Sequence, residues 1–283
     1  MNHALLTEGL PRAPGVYLFH GEGKLPLYVG KSVNIRARVQ SHLRDASEAR
    51  MMAQTLRVEV IETAGEMGAL LLESHLIKTL NPLFNQRLRR VRRLCTIQLL
   101  PVSANSPQVT LADERSAQLG VQAGLFGLFA SRHAAREKLH SLALQHRLCL
   151  QRLGLETPHA RGCFGWQTKQ CSGVCVGHES SESHAQRLEA ALAHLQVHTW
   201  PFAGAVDLVE TRDDWVQKHR LHQWAHLGTW CSREGRWLHR PSRVSGFDTD
   251  SYHIVLKPVL LQTLPMEVVS ESEMVQTITN DAD

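Results

Sequence analysis

The sequence has no apolar run of the roughly 18 to 20 residues that a membrane-spanning helix needs. Its beginning, from Met1 to Gly15, has no basic patch followed by an apolar stretch, which is the pattern of a secretory signal. We therefore expect a soluble, cytoplasmic protein with no membrane partner. Internal repeats are also missing, so no solenoid architecture is expected.

Cysteine is absent from the first 94 residues, and four of the six cysteines lie within 27 residues. These four are Cys149, Cys163, Cys171 and Cys175. Because intracellular chains rarely keep disulfides, the cluster indicates a metal site. Its spacings of 13, 7 and 3 intervening residues match neither paired zinc knuckles nor the ferredoxin pattern, so zinc and iron–sulfur both stay open. Cys95 and Cys231 have no neighbouring partner and are expected to be structural.

At 283 residues the chain has room for two domains, and its net charge of +4 is spread unevenly. Residues 1–94 contain 14 Lys and Arg against 8 Asp and Glu, whereas the remainder contains 17 against 19. The basic first part is therefore expected to meet a polyanion.

Short strands and helices are predicted to alternate in this first part, which indicates an α+β fold. Apolar and β-branched residues predict strands over 15–19, 25–29 and 56–63. Asn34 has the residue type of a cap for a helix that ends near Leu43, and the clearest helix runs from Glu66 to Leu80. These elements define a first domain over residues 1–95.

The rest of the chain is predicted to form two further parts and a tail. A hairpin and two helices are predicted over 96–102, 108–111, 131–148 and 182–198. They place the four cysteines in a helical, metal-binding module over residues 96–198. Five of the six tryptophans lie between 200 and 237, which indicates a small C-terminal domain over residues 199–264, where Asp248 and Asp250 are expected to stabilise a turn. Residues 265–283 are polar and acidic and are expected to form a flexible tail.

Glu73 is unusual for its position on the clearest helix. At 100° per residue it lies near the middle of an apolar stripe made of Ala69, Leu70, Leu76, Ile77 and Leu80. A carboxylate on such a face needs a cation beside it, because removing an unpaired charge from water costs several kcal/mol. Without other residues nearby, a buried structural pair with an arginine would account for it.

Other polar residues are predicted to converge on the same place. Arg38 and His42 lie within about 60° of Ile35 on the inward edge of the preceding helix. Arg36 points away and is expected to face solvent or phosphate. Just before this helix stand Tyr17, Tyr28 and Lys31, which include two of the three tyrosines in the chain. A polar cluster of mixed charge on a small sheet indicates a functional site.

The ordered motifs resemble those of the GIY-YIG nuclease domain. The segments that carry the resemblance are PGVYLF (14–19), PLYVGKSVNIRARV (26–39), LLLESHLIK (70–78) and NPLFNQRLR (81–89). More specifically, they resemble the N-terminal half of the UvrC subunit of nucleotide-excision repair and its short homologue Cho. The resemblance implies a central three-stranded antiparallel sheet flanked by helices.

The resemblance also implies roles for the tyrosines and the lysine. Tyr17 would help to deprotonate the attacking water, and Tyr28 and Lys31 would position or activate that water. Tyrosine is a poor base at its ordinary pKa of about 10, so a nearby cation is needed to lower that value.

The remaining residues of the motif would act on the phosphate. Arg38 would contact the scissile phosphate through its guanidinium fork, and Glu73 would hold a single divalent cation, Mg²⁺ or Mn²⁺. Asn85 would be a supporting polar residue. His42 stands where the family usually has a tyrosine, and it is expected either to act as a donor or base near neutral pH or simply to pack beside Ile35.

The segment after Asn85 is rich in arginine. It contains Arg87, Arg89, Arg90, Arg92 and Arg93. Next to a nuclease site, this run is expected to bind DNA phosphates without sequence preference.

The segment RGCFGWQTKQCSGVCVG resembles the cysteine-rich region of UvrC. This resemblance implies that the four clustered cysteines hold a 4Fe-4S cluster, with Zn²⁺ as the alternative. Gly162 and Val174 replace prolines that often precede two of these cysteines in the family.

Together these resemblances imply an endonuclease that cuts damaged double-stranded DNA 3′ to a lesion, acts with UvrB after UvrA, and is regulated by DNA damage. The residues after Val197 are too few for the second, RNase H type nuclease of UvrC, so one active site and one cut are expected. Two alternatives are a GIY-YIG nuclease outside excision repair and a catalytically inactive DNA- or UvrB-binding adaptor. The cysteine module argues against the first, and the intact nuclease motif argues against the second.

Overall fold

The computed structural model describes residues 6–85, 94–100, 108–113, 116–239, 246–270 and 273. Its contacts divide the chain into two units. One unit contains residues 1–90 and 201–283, and the other contains residues 91–200. The five arginines expected to bind DNA at 87–93 lie outside the described residues.

The N-terminal segment folds around the predicted three-stranded antiparallel sheet. Its central strand is β1 (Gly15–His20), which pairs with β2 (Tyr28–Ser32) on one side and β3 (Arg57–Glu62) on the other. All of β1 is buried. Strand β2 begins three residues later than the predicted strand.

Two helices and a short third one surround this sheet. Helix α1 (Ile35–Arg44) begins at Asn34, whose side chain accepts a hydrogen bond from the backbone N–H of Ala37, as a cap does. After the short α2 (Ala49–Met52), helix α3 (Glu66–Leu80) has the predicted bounds. It ends at Asn81, which has φ 48° in the left-handed region.

The buried face of α3 differs in part from the predicted stripe. Leu71 and Leu72 are 2% and 3% exposed, whereas Leu70, Leu76 and Leu80 are only half-buried. Helix α3 contacts β1 and β2 and also a C-terminal helix, α7 (Thr249–Leu261). A helix covered on two sides has no single apolar stripe for the sequence to reveal.

The tryptophan-rich segment forms a five-stranded antiparallel sheet together with α7. The strands are β7 (Val206–Arg212), β8 (Trp215–His222), β9 (Ala225–Cys231), β10 (Arg236–Leu238) and β11 (Met266–Val268), in the order β10-β9-β8-β7-β11. Trp215 and Trp224 belong to its core, at 5% and 0% exposure. Strand β11 pairs with β7, so the prediction of a flexible tail from residue 265 was wrong at this point. Asp248 caps α7 by accepting from the backbone N–H of Ser251.

The second unit contains the predicted hairpin, made of β4 (Cys95–Leu100) and β5 (Gln108–Asp113). An unpredicted strand, β6 (Leu125–Phe129), pairs with the other side of β4. Helices α4 (Arg132–Gln145), α5 (Phe164–Gln167) and α6 (Ser181–Leu192) follow. Residues of α4, α6 and β4 share one apolar core with the clustered cysteines. Across the described residues of both units, every helix is too short or too polar to cross a bilayer.

Candidate active site and cysteine cluster

Two glycines allow the tyrosine-bearing strands to pack closely. Tyr17 lies opposite Gly30 in the β1–β2 register. A Cβ on Gly30 would lie 2.3 Å from the hydroxyl oxygen of Tyr17, and a Cβ on Gly15 would lie 2.3 Å from the carbonyl oxygen of Ile61 on β3. Only glycine fits at these two positions, which explains why both motif triplets contain it.

Tyr17, His42 and Glu48 form a chain of hydrogen bonds. Tyr17 is 1% exposed, and its hydroxyl oxygen lies 2.6 Å from Nε2 of His42. Nδ1 of the same ring bonds the carboxylate of Glu48. Because a carboxylate only accepts, Nδ1 carries the proton, and Nε2 of the neutral ring accepts from Tyr17.

The protonation of this chain follows from its burial. Burial lowers the pKa of His42, while the hydrogen bond and charge of Glu48 act in the opposite direction, so the neutral imidazole is favoured. Burial also raises the pKa of Tyr17. The sequence pattern did not single out Glu48, which lies in the short 3-10 turn Ala46–Glu48 after α1.

Arg38 and Tyr28 complete the surroundings of Tyr17. The ring centroids of the two tyrosines are 6.2 Å apart, and burial raises the pKa of Tyr28 as well. A hydrogen bond with Tyr17 is the largest cause of the raised pKa of Arg38. The inward position predicted for His42 is confirmed, since it is 1% exposed; Arg38 is more exposed, and its guanidinium still bonds Tyr17.

Glu73 is half-buried and lies beside the end of β2. Its Oε1 accepts a hydrogen bond of 3.0 Å from the backbone N–H of Lys31. Burial raises the pKa of this carboxyl, and the N–H and charge of Lys31 and the charge of Arg38 oppose that rise. None of the ion pairs formed by the described residues includes Glu73, so a structural pair with an arginine does not explain it. Hard divalent cations such as Mg²⁺ bind oxygen ligands, and the carboxylate of Glu73 supplies one.

The side chains of Lys31 and Asn85 contact other protein groups. The Nζ of Lys31 lies 2.6 Å from Oε1 of Glu66, so the side chain forms an ion pair and only the backbone of Lys31 contacts Glu73. Asn85 is buried, and its side chain donates to the carbonyl oxygen of Val29 at 2.8 Å and accepts from the Val29 N–H at 2.9 Å. Asn85 thus fixes the backbone of the second motif triplet.

Arg36 lies apart from this cluster, in the first turn of α1. Its side chain is half-buried, and its backbone N–H donates to the carbonyl oxygen of Pro11 at 3.0 Å. Its predicted direction towards solvent or phosphate and its contact with DNA stay predictions.

The four clustered cysteines come together in the second unit. Sulfur atoms of Cys149, Cys163, Cys171 and Cys175 all lie within 4.8 Å of one another, and all six cysteines of the chain are free thiols. Backbone N–H groups of Trp166 and Gly173 each donate to one of these sulfurs at 3.3 Å. Four close sulfurs with N–H donors have the chemistry of a thiolate metal site.

Residues around the cluster fix its geometry. His184 accepts from the backbone N–H of Cys149 at 3.0 Å, and the ring of His178 packs on Trp166 with centroids 4.7 Å apart. Gly162, at a position where the resemblance to UvrC implies a proline, has φ 79°. Proline cannot adopt this angle, so the departure from the family pattern matches the backbone.

Comparison with known families covers most of the chain. Residues 13–86 match the UvrC-like GIY-YIG domain, residues 94–194 match the UvrC/Cho excinuclease middle domain, and residues 205–272 match the excinuclease Cho C-terminal domain.

Several individual proteins are similar to it. Excinuclease cho of Shigella flexneri is 48% identical over 262 residues, which cover 91% of this chain and 86% of that protein. Excinuclease cho of Escherichia coli (strain K12) is 48% identical over 255 residues, covering 89% and 84%. UvrABC system protein C of Ruegeria sp. is 37% identical over 187 residues, covering 64% of this chain and 28% of that protein.

Among solved structures, the GIY-YIG N-terminal endonuclease domain of UvrC from Thermotoga maritima, bound to magnesium, is 30% identical. The match covers 29% of this chain and 94% of that domain, with a TM-score of 0.28. The three family matches and the identity over nine tenths of the chain show that this protein belongs to the excinuclease Cho family, with a UvrC-like GIY-YIG nuclease domain at residues 13–86.

Proposed function

We propose that this protein is a cytoplasmic DNA repair endonuclease that cuts damaged double-stranded DNA once, on the 3′ side of a lesion, and acts with UvrB after UvrA. The observation that carries the proposal is the cluster of Tyr17, Arg38, His42 and Glu73, in which a half-buried carboxylate has no protein cation among the described ion pairs. The names of its full-length relatives, excinucleases, support the repair role.

Glu73 would hold one Mg²⁺ or Mn²⁺ ion, whose charge stabilises the developing charge of phosphodiester hydrolysis. The exposed guanidinium of Arg38 is free at its outer side to bind the scissile phosphate by a bidentate contact. Arg36 and the arginines of the 87–93 segment would bind flanking phosphates, with the sequence-independent and salt-sensitive affinity of such contacts.

A proton relay follows from the hydrogen-bonded chain. The hydroxyl of Tyr17 stays protonated, because burial raises its pKa, so it can accept a proton only as it gives up its own. It would take a proton from the attacking water while its own proton passes to Nε2 of His42 over 2.6 Å. His42 then carries a positive charge beside the Glu48 carboxylate, which stabilises it.

Incision of an end-labelled duplex that carries one bulky lesion tests this function. The reaction contains UvrA, UvrB, ATP and Mg²⁺, and compares the wild type with Glu73→Gln and with the control Glu22→Gln, which makes the same charge change in the exposed β1–β2 turn. We expect one cut 3′ to the lesion, lost only in Glu73→Gln. Cutting of undamaged DNA without UvrB would contradict the repair role. Equal cutting by both variants would contradict the mechanism, and no cutting by the wild type would leave the adaptor as the better description.

We also propose that the four clustered cysteines hold a 4Fe-4S cluster. The support is the resemblance of this segment to the cysteine-rich region of UvrC, since a sulfur spread of up to 4.8 Å is nearer to the roughly 3.8 Å of tetrahedral zinc and does not itself select iron. Protein purified without oxygen is expected to contain iron and to absorb broadly in the visible range. Cys149→Ser should lose both signals, whereas Cys95→Ser, a buried free thiol of the same unit, should keep them. One zinc per chain without iron would contradict the proposal.

A further inference from the structure

The helix that carries Glu73 begins without a cap of its own. Gly65 occupies the N-cap position of α3 and has no side chain to accept from the first N–H groups. The N–H groups of Met67 and Gly68 donate instead to the two carboxylate oxygens of Glu210 on β7, at 2.9 and 2.7 Å. A Cβ at position 65 would lie 2.1 Å from Oε1 of Glu210, so glycine provides the space for this remote cap.

A buried network holds Glu210 in place. Nε2 of His219 lies 3.2 Å from its Oε2, and Nδ1 of the same ring lies 2.9 Å from the hydroxyl of Thr229. Gln217, on the same strand as His219, accepts from the backbone N–H of Ala64 at 2.8 Å. Burial alone would raise the pKa of Glu210, but the hydrogen bonds from His219 and from the two helix N–H groups outweigh it and lower the pKa. Glu210 is therefore an anion at the positive end of a helix dipole.

The same C-terminal domain also holds the other end of α3. Nζ of Lys78 lies 2.8 Å from Asp248 and 2.9 Å from Asp250, at the start of α7. Glu73 lies between these two attachments, about 9 Å from the capped N–H groups at 1.5 Å per residue. The position of its carboxylate against the Lys31 N–H therefore depends on where α3 begins.

We propose that Glu210 is a positioning residue of the nuclease: it fixes the first turn of α3 and through that helix the carboxylate of Glu73. The C-terminal domain of this family then completes the nuclease domain instead of only following it in the chain. This inference rests on the proposed role of Glu73 as the metal ligand. The capping of α3 by Glu210 is independent of that role.

A transplanted cap tests the proposal. Glu210→Ala removes the remote cap and also the side chain that would collide with a residue at position 65. Gly65→Ser in that background supplies a serine hydroxyl, which at an N-cap accepts from the same two N–H groups. The extended backbone of Gly65, with φ −154° and ψ −171°, suits an N-cap serine. By contrast, Gly65→Ser alone should be harmful, because its Cβ meets Glu210.

Three quantities are measured in the full chain: hydrogen exchange of the Met67 and Gly68 amides, Mn²⁺ binding to the protein without DNA, and the Mn²⁺ concentration for half-maximal incision. Glu210→Ala is expected to speed exchange of these amides. It should also raise the Kd for Mn²⁺ and the Mn²⁺ concentration for half-maximal incision roughly 5- to 30-fold, the range that corresponds to loss of a cap. The double variant should return all three towards the wild type. Asp207→Asn is the control, since it lies on the opposite face of β7 and breaks the buried pair with Arg220 instead.

A double variant as impaired as Glu210→Ala would overturn the proposal, and so would an equal Mn²⁺ shift in Asp207→Asn, which would indicate general destabilisation. Should Glu210→Ala fail to fold, Glu210→Gln is used in its place. Glutamine keeps the shape of the side chain, but its amide group has one oxygen to accept with and points an N–H at one of the two helix N–H groups. If the wild type binds no Mn²⁺ and Glu73→Gln alters nothing, the proposed function fails, and amide exchange still reports separately on the cap.

Discussion

Replacement of Glu48 by glutamine is expected to slow incision about tenfold while leaving the fold intact. Glutamine can still accept the Nδ1–H of His42, so the ring keeps its tautomer and only the negative charge is lost. A hydrogen bond to a charged group contributes about 1.5 to 3 kcal/mol. Because the Glu48 side chain is 30% exposed, solvent screening places the effect near the lower limit, which corresponds to about tenfold in rate.

The pH dependence gives this prediction a sign. The relay needs a neutral His42, so the rate falls as the pH falls through the pKa of His42. Burial lowers that pKa and Glu48 raises it. Glu48→Gln should therefore move the acid limb of the rate profile to lower pH, while the plateau falls.

Single-turnover incision of the lesion duplex, measured across pH with UvrB present, is the assay. The His42→Tyr variant carries the residue that the resemblance implies for this position. In that background Glu48→Gln should have no further effect, because the imidazole that the Glu48 charge stabilises is no longer present. The relay would be refuted if Glu48→Gln left the plateau rate unchanged or did not move the acid limb of the profile. It would also be refuted if Glu48→Gln slowed incision equally in the His42→Tyr background.

Three further predictions concern stability and DNA binding. Asn85→Ala should lower the free energy of unfolding by about 2 to 4 kcal/mol in urea titrations, because it leaves the buried N–H and C=O of Val29 without partners; a loss below 0.5 kcal/mol would show that water replaces the amide. The folded pKa of Glu210 lies below its ordinary value of 4.5, so its contribution to stability is complete above that pH and is lost as the pH falls further. Melting temperatures between pH 6 and 3 should accordingly fall less in Glu210→Gln than in the wild type, and parallel curves would contradict this. Replacing Arg90 and Arg92 by glutamine should reduce the slope of log affinity against log salt by about 1 to 2, and an unchanged slope would remove these residues from the DNA contact.

The nuclease domain was largely predictable because its signals are local. The cap at Asn34, the bounds of α3 and the strand pattern of β1 follow from residue types that act within one or two turns. The closeness of the four cysteines was predictable for a different reason, since thiols rarely cluster in an intracellular chain without a shared ligand.

The central hairpin of the C-terminal sheet was missed because its turn lacks the usual residues. Gln223 and Trp224 form the two-residue turn between β8 and β9, and both have positive φ, at 48° and 67°. Such turns normally contain Asn or Gly, whose absence removed the signal of a hairpin. Burial of Trp224 in the core compensates for this unfavourable backbone.

Glu48 and Glu210 were missed because their roles depend on partners far along the chain or on irregular turns. Glu48 follows His42 by six residues, a spacing that matches neither helix nor strand periodicity. Glu210 acts on N–H groups 142 and 143 residues away, and nothing in its own strand indicates this. The exposure of Arg38 did not follow from the helix wheel, which gives the direction of the Cβ and not the path of a long side chain.

The remote cap also has a consequence for synthesis of the chain. Glu210 leaves the ribosome 143 residues after Met67, which at roughly 5 to 20 residues per second takes about 7 to 30 seconds. During that interval the residues of α3 have been made but the carboxylate that accepts from its first N–H groups has not. On the proposed role of Glu210, a chain that stops before this residue should bind Mn²⁺ at Glu73 more weakly than the chain that contains it.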